Sequence, residues 1–407
     1  VGYLKRENCI MITSLLLAVL SPYTALLPAA YMTYKVLLGK VTIYKNPWNI
    51  GLLLLFGWSL ISGIINQSLI STVLSLAFLM YFCLSVFLQN YFYNESQIEK
   101  LYKYLVYFSI FPALLGIIEK IVFMNFDVAW WKTILGISNL SNINHRIYST
   151  FGNPNVAGTW FATMILVCVY FATKTSKKEK LFYQVSMVLF AFTLFLTGSR
   201  GAEIGLLVGL VAYYSIQKNK KYMWYPIALF GILALISFIP SDILNINDIM
   251  GHEINSSFQS RDAIWDGCIK MFKLKPLAGW GLMGIYNQGL NYILYDTKIF
   301  HGHNIWITLL TTLGIVGLSI YLYMKFNLYM NIKTLYNQNC RLVPLLTGIQ
   351  ALVLGHGLVD FTIMTPQAGL LFISCSALIS SLAMQVKTSE VKTTIPVVQY
   401  NPLSKIS

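Results

Sequence analysis

Arginine is scarce in this chain. Of 29 Lys and Arg residues only five are Arg, at positions 6, 146, 200, 261 and 341. Arg146, Arg200 and Arg261 come from three separate regions, yet all fall at or just beyond one boundary of the apolar segments that surround them. A guanidinium keeps its charge and presents a planar fork of donors that fits phosphate oxygens. Brought together, the three would recognise an anionic group; kept apart, they are helix-end side chains reaching for water. The histidines offer a second chemistry. His301 and His303 close a long polar loop in the motif HGHN, directly before an apolar run. An imidazole beside Asn304 at a helix start can serve as a neutral general base, because it titrates near neutrality. The His301 and His303 pair at i, i+2 could also ligate a metal. No third ligand follows at a fitting spacing, so no metal is expected. His356 and Asp360 are four apart and share one face if a single helix runs through both. There Asp360 orients a histidine, contacts a sugar hydroxyl or simply ends a helix.

Three further motifs have both a structural and a functional reading. STFGNPNVAGTW puts Asn153 at an N-cap and Pro154 at the first helical position, which capping alone explains. The same helix start, with Asn153 and Asn155, also offers free N–H groups to a phosphate or sugar oxygen. TGSRGAEIG breaks two apolar segments with Gly198 and Gly201 around Arg200, with Glu203 three residues on as an ion-pair partner. GWGLMG at 279–284 has the GxGxxG spacing, but no strand-turn-helix unit surrounds it, so a dinucleotide site is rejected.

The elements that must position these residues are membrane spans. The chain is 56% hydrophobic and 11% charged over 407 residues, where soluble domains average about a quarter charged. Uncharged runs predict spans near 47–66, 68–90, 101–123, 154–173, 181–198, 201–217, 222–240, 304–324, 342–360 and 362–384. Residues 8–34 carry Pro22 and Pro28 and form a hairpin of two short helices or one kinked span. The fold class is therefore an all-α polytopic membrane protein with about 12 transmembrane helices, or 11 if the first stretch spans once. With both termini inside, the interior loops hold 20 of the 29 basic residues. The net charge of +14 is thus a topology signal, not a nucleic-acid footprint.

Residues 1–384 read as one integral membrane domain and 385–407 as a flexible cytoplasmic tail. The loops 124–153 and 241–303 are long and extracytoplasmic. The second holds an amphipathic helix with Ser260 as its cap and Ile264, Trp265, Cys268, Met271 and Phe272 along its apolar face, lying on the membrane surface. Six single cysteines show no pairable framework, and no cleaved signal peptide is expected.

Taken in order, Arg146 with FGNPN, SRG around Arg200, SRDAIW followed by KPLAGWG, and HGHN followed after nine residues by GIVG resemble the O-antigen ligase and Wzy-type polymerase family. The resemblance covers roughly 145–320; the first 140 residues match only in being spans. It implies a GT-C-like membrane glycosyltransferase at the cytoplasmic membrane, with its active site on the extracytoplasmic face. Its donor would be an undecaprenyl-pyrophosphate-linked glycan, with no cofactor and no metal. Arg200 would match the family arginine that engages the donor pyrophosphate, and His303 the histidine that activates the acceptor hydroxyl. Arg146 and Arg261 match further positive positions, and His301 is present in some members only.

Those roles agree with the chemistry: leaving-group charge must be neutralised and a nucleophile deprotonated, and attack opposite the leaving group would invert the anomeric centre. The expected substrate-binding set is Arg146, Arg261, Asn153, Asn155, His301, Asn304 and Asp360. The acceptor is a second lipid-linked repeat unit in a polymerase, or lipid A-core or a protein hydroxyl in a ligase. Enrichment in Lys, Ile, Asn and Tyr suggests an AT-rich genome and favours the polymerase. Partners are the two glycans, the bilayer and a regulator of chain length. A lipid-linked glycan transporter is a third reading, but it predicts charged or broken segments at the midplane, whereas here the polar residues collect at one face.

Overall fold

The computed structural model describes residues 2–39, 41–123, 146–217, 223–237, 254–294 and 298–394. Of the expected loops 124–153 and 241–303, residues 124–145, 241–253 and 295–297 lie outside the described residues, as does the end of the tail from 395. Among the described residues every regular element is helical. The first apolar stretch is two helices, α1 (Gly2–Leu20) and α2 (Leu26–Leu37), with Pro22 in the break between them. They are followed by α3 (Pro47–Ile65), α4 (Leu69–Leu74), α5 (Leu76–Tyr91) and α6 (Glu95–Phe123). The middle of the chain forms α7 (Pro154–Ala172), α8 (Lys177–Leu196), α9 (Arg200–Ile216) and α10 (Trp224–Ser237). Then come α11 (Ile254–Leu274), α12 (Gly284–Gln288), α13 (Ile305–Asn337), α14 (Val343–His356) and α15 (Pro366–Thr394). Seven helical stretches among the described residues are long and apolar enough to cross a bilayer. The chain is a multi-pass membrane protein.

Four expectations about element ends need correction. Ser260 is not a cap, because α11 begins at Ile254; no Gly or Pro interrupts 254–259. The helix predicted over 304–324 runs on to Asn337, with Lys325 inside the protein, bonded to Gln350 Oε1 at 2.8 Å and 3.8 Å over the Phe372 ring. The helix predicted over 342–360 stops at His356, between two glycines. His356 and Asp360 therefore do not share a helix face. The start of the expected tail is helical as far as Thr394: no Gly or Pro interrupts 385–394, and the first proline is Pro396.

α7 is the central helix, apolar all round and buried along nearly its whole length. The closest packing is between α9 and α14. Gly201, Gly205 and Gly209 recur every four residues along one face of α9, so the backbones can approach. A Cβ on Gly205 would lie 2.7 Å from the Leu352 carbonyl oxygen, and one on Gly209 2.9 Å from that of Gly348. This glycine ridge sets Arg200, at the start of α9, beside the end of α14.

The KPLAGWG segment interlocks with a break in α13. Gly314 has φ +67° and ψ −169° inside that helix, a conformation reserved to glycine. The carbonyls the break releases all find donors elsewhere, as buried backbone in a membrane must. Thr311 O accepts from Trp280 N at 2.9 Å and Thr312 O from Gly281 N at 2.8 Å. Leu313 O accepts from Trp58 Nε1 at 2.8 Å, and the Ile315 N–H turns to Pro276 O at 2.8 Å. The sequence GIVG is thus a docking notch for the loop that holds GWG. The apolar face of α11 is likewise occupied by protein. Ile264, Cys268 and Met271 form a small core with Ile285 and Ile293.

Candidate active site

His303 immediately precedes Asn304, the N-cap of α13, whose Oδ1 accepts from Trp306 N and Ile307 N at 2.9 and 3.1 Å. The other half of that amide donates to Leu358 O at 2.8 Å, and Ile305 N donates to Gly357 O at 2.8 Å. These bonds pin the start of α13 to the turn after α14, which carries Asp360. Asn304 is 9% exposed and its amide is engaged on both sides. Its arrangement positions its neighbours and leaves little for a substrate.

The pinned segments bring His303 Nδ1 to 3.0 Å from Asp360 Oδ1. Asp360 is buried and also accepts the Phe361 N–H at 2.7 Å. Burial pushes its carboxyl up, but the His303 hydrogen bond and the neighbouring imidazoles outweigh this and hold it well below the usual carboxylate range. An ionised Asp360 can only accept a hydrogen bond, which puts the His303 proton on Nδ1 and leaves Nε2 as the basic nitrogen. His303 also sits at φ +46°, an uncommon backbone conformation of the kind found at functional sites. His301 stands 4.5 Å from His303, ring to ring, and its Nδ1 accepts the His303 N–H at 3.2 Å. Burial first, then the His303 charge, lower His301 to about 4 against the pull of Asp360. His301 is therefore neutral, and its 3.9 Å approach to Asp360 is not an ion pair.

The three arginines act on the same region. Arg146 donates from Nε to Thr197 O and from an Nη to Asn155 Oδ1, both at 2.7 Å. Burial above all, with smaller contributions from the charges of Arg261 and Arg200, lowers it to about 10 against the pull of Tyr148 and Asp360. Arg200 is lowered by burial, favoured by Glu203 and opposed by Arg261. Arg261 is lowered by burial and favoured by Asp360. Each arginine thus feels charges from the others or from Asp360, across four different elements. Asn153 caps α7 as expected, accepting from Asn155 N at 2.8 Å and Val156 N at 3.4 Å, while Asn155 holds Arg146.

Two contributors escape a sequence reading. Glu119, buried on α6, accepts Tyr148 N at 3.0 Å and Ser149 N at 2.6 Å and so fixes the strand of loop that carries Arg146. Ser149 is at φ +52° there. Thr159 on α7 bonds His356 Nδ1 at 2.8 Å and Thr362 at 3.2 Å, tying α7 to both ends of the Asp360 turn. No signal marks Glu119 beyond an isolated acid in an apolar run. The opposite end of the bundle collects ordinary ion pairs, such as Lys103 with Glu179 at 2.9 Å and Arg341 with Glu95 at 3.3 Å. A third potential metal ligand does exist, contrary to the expectation from spacing: His301, His303 and Asp360 can place one ligand atom each within 4.8 Å of one another. The third comes from 57 residues downstream, where local spacing cannot reveal it.

No curated protein gives a significant match to the chain. A family model described as O-antigen ligase matches residues 185–322, from within α8 to within α13. The match takes in Arg200, Arg261, His301 and His303, along with the interlocked GWG and GIVG motifs, and stops short of Arg146 and Asp360. Over these residues the chain is similar to the O-antigen ligase family.

Proposed function

We propose that this protein transfers a glycan from an undecaprenyl-pyrophosphate-linked donor to a sugar hydroxyl, as a polymerase of surface-polysaccharide repeat units. The observation that supports this reading is the Asp360–His303 hydrogen bond, with Arg146 and Arg261 in electrostatic reach of Asp360 and Arg200 in reach of both arginines. His303 Nε2 takes the proton of the acceptor hydroxyl as its oxygen attacks the anomeric carbon. The bond from that carbon to the pyrophosphate oxygen breaks, and the arginines hold the departing charge. Attack from the face opposite the leaving group inverts the anomeric centre.

The site lies on the extracytoplasmic face of the cytoplasmic membrane in a bundle of 12 spans, with α4 and α5 together making one. The reaction is metal-independent: the Asp360 and His303 atoms that could bind an ion are already joined by a hydrogen bond, and three guanidinium groups oppose a further cation. Chelator should leave activity unchanged. The preference for a second lipid-linked unit as acceptor rests on composition alone, so the assay must separate polymerase from ligase. Purified protein given only lipid-linked repeat units should yield a ladder of longer glycans. Donor that is consumed only after another acceptor is added would mean a ligase. Retention of normal activity by His303→Ala would overturn the mechanism.

A further inference from the structure

The polar face near the histidines holds an aromatic arrangement that the transfer chemistry leaves unused. Phe300, the residue before His301, stacks on Tyr286 with ring centroids 4.7 Å apart and planes 14° from parallel. Lys298 Nζ also lies over the Tyr286 ring, 5.2 Å from its centroid. Phe300 remains 53% exposed, which leaves its far face open. An exposed phenyl ring costs hydrophobic free energy, and this one is held flat, so its side-chain entropy is already lost. The segment that carries Tyr286 also exposes the amides of Asn287, Gln288 and Asn291; Asn291 donates to Gln288 Oε1 at 3.0 Å and Asn287 to Ser68 Oγ at 3.3 Å, which leaves each amide further hydrogen-bonding capacity.

We propose that Phe300, braced by Tyr286, is the stacking platform for a pyranose ring of the acceptor glycan. The C–H face of a pyranose is apolar and carries slight positive charge, which suits the negative face of an aromatic ring. Its hydroxyls, directed outward around the rim, suit the side-chain amides. Phe300 lies three residues before His303, the residue that would activate the acceptor hydroxyl. The same segment exposes Leu290 and Leu294, so a seat in the bilayer is the competing use of the ring. Sugar stacking needs a flat π face, whereas a bilayer seat needs only apolar bulk.

This inference rests on the glycan-transfer reading, and the test separates the two. Phe300→Leu and Phe300→Trp would be compared with wild type for turnover of lipid-linked glycan extracted from the producing cells. Binding of the lipid-free oligosaccharide released from that glycan by mild acid would be followed by saturation-transfer NMR. Phe300→Leu should raise the half-saturating concentration about 3- to 10-fold, with a smaller effect on kcat, and should lose the saturation transfer. Phe300→Trp should restore both. If Phe300→Leu behaves as wild type in both measurements, apolar bulk suffices and the platform is overturned. If wild type transfers no glycan but binds the oligosaccharide in a Phe300-dependent way, the transfer reading falls and the platform stands; if it does not bind the oligosaccharide at all, the platform falls too.

Discussion

The imidazole of His303 and the carboxylate of Asp360 lie 3.0 Å apart although 57 residues of sequence separate them. The pair exists because Asn304 and Ile305 are bonded to the carbonyls of Leu358 and Gly357. The first consequence concerns the tautomer. Asp360→Asn keeps the shape but can donate to Nδ1, which would place the proton on Nε2, the nitrogen that must be basic. Turnover should fall about 10²-fold or more, with the thermal midpoint lowered far less than activity. Equal loss of both would show Asp360 to be structural.

How much of this was legible in the sequence follows from the range of each interaction. Asn153 and Pro154 announce the start of α7 because a cap is a contact over three residues. The histidine and the three arginines could be picked out by residue type and by their place at span ends. Asp360 stands out too as a residue that orients a histidine, but that the histidine is His303, and that Glu119 holds the Arg146 loop, follows only from packing between distant helices. The expected shared helix face for His356 and Asp360 assumed a helix that two glycines end at His356. The ridge of Gly201, Gly205 and Gly209 was present as a four-residue repeat, but its meaning depends on α14 lying against it.

Gly314 tests the interlock. It combines φ +67° with a site where an added Cβ would collide with the Leu277 carbonyl. Gly314→Ala should destabilise the protein by about 3 kcal/mol or more, strain and overlap together. Gly57 on α3 has nothing within 4 Å of the equivalent position. Gly57→Ala should therefore be neutral or slightly stabilising. Thermal unfolding of both variants in the same detergent checks the contrast.

Glu119 tests whether the Arg146 loop must be held. Its two oxygens accept the N–H groups of Tyr148 and Ser149. Glu119→Gln retains one acceptor and turns an amide N–H₂ toward the second donor. The cost should be about 1–3 kcal/mol, as for a buried hydrogen bond to a charged group. A positioning role also predicts a higher half-saturating donor concentration, because Arg146 loses its fixed place. Unchanged donor dependence in a folded Glu119→Gln protein would confine Glu119 to stability.

His301 supplies a pH prediction whose sign can be worked out. Its folded value of about 4 lies below the ordinary histidine value of 6.5, mainly because burial disfavours the charged ring. The unfolded chain therefore binds a proton at His301 that the folded protein does not accept until near pH 4. The associated stability is fully present above about pH 6.5 and is lost as pH falls toward about 4. Asp360 stays ionised across that window, so it does not mask the effect. The thermal midpoint of wild type should fall more steeply between pH 7 and pH 4.5 than that of His301→Asn. Equal slopes in the two proteins would show that His301 does not carry the loss of stability in acid.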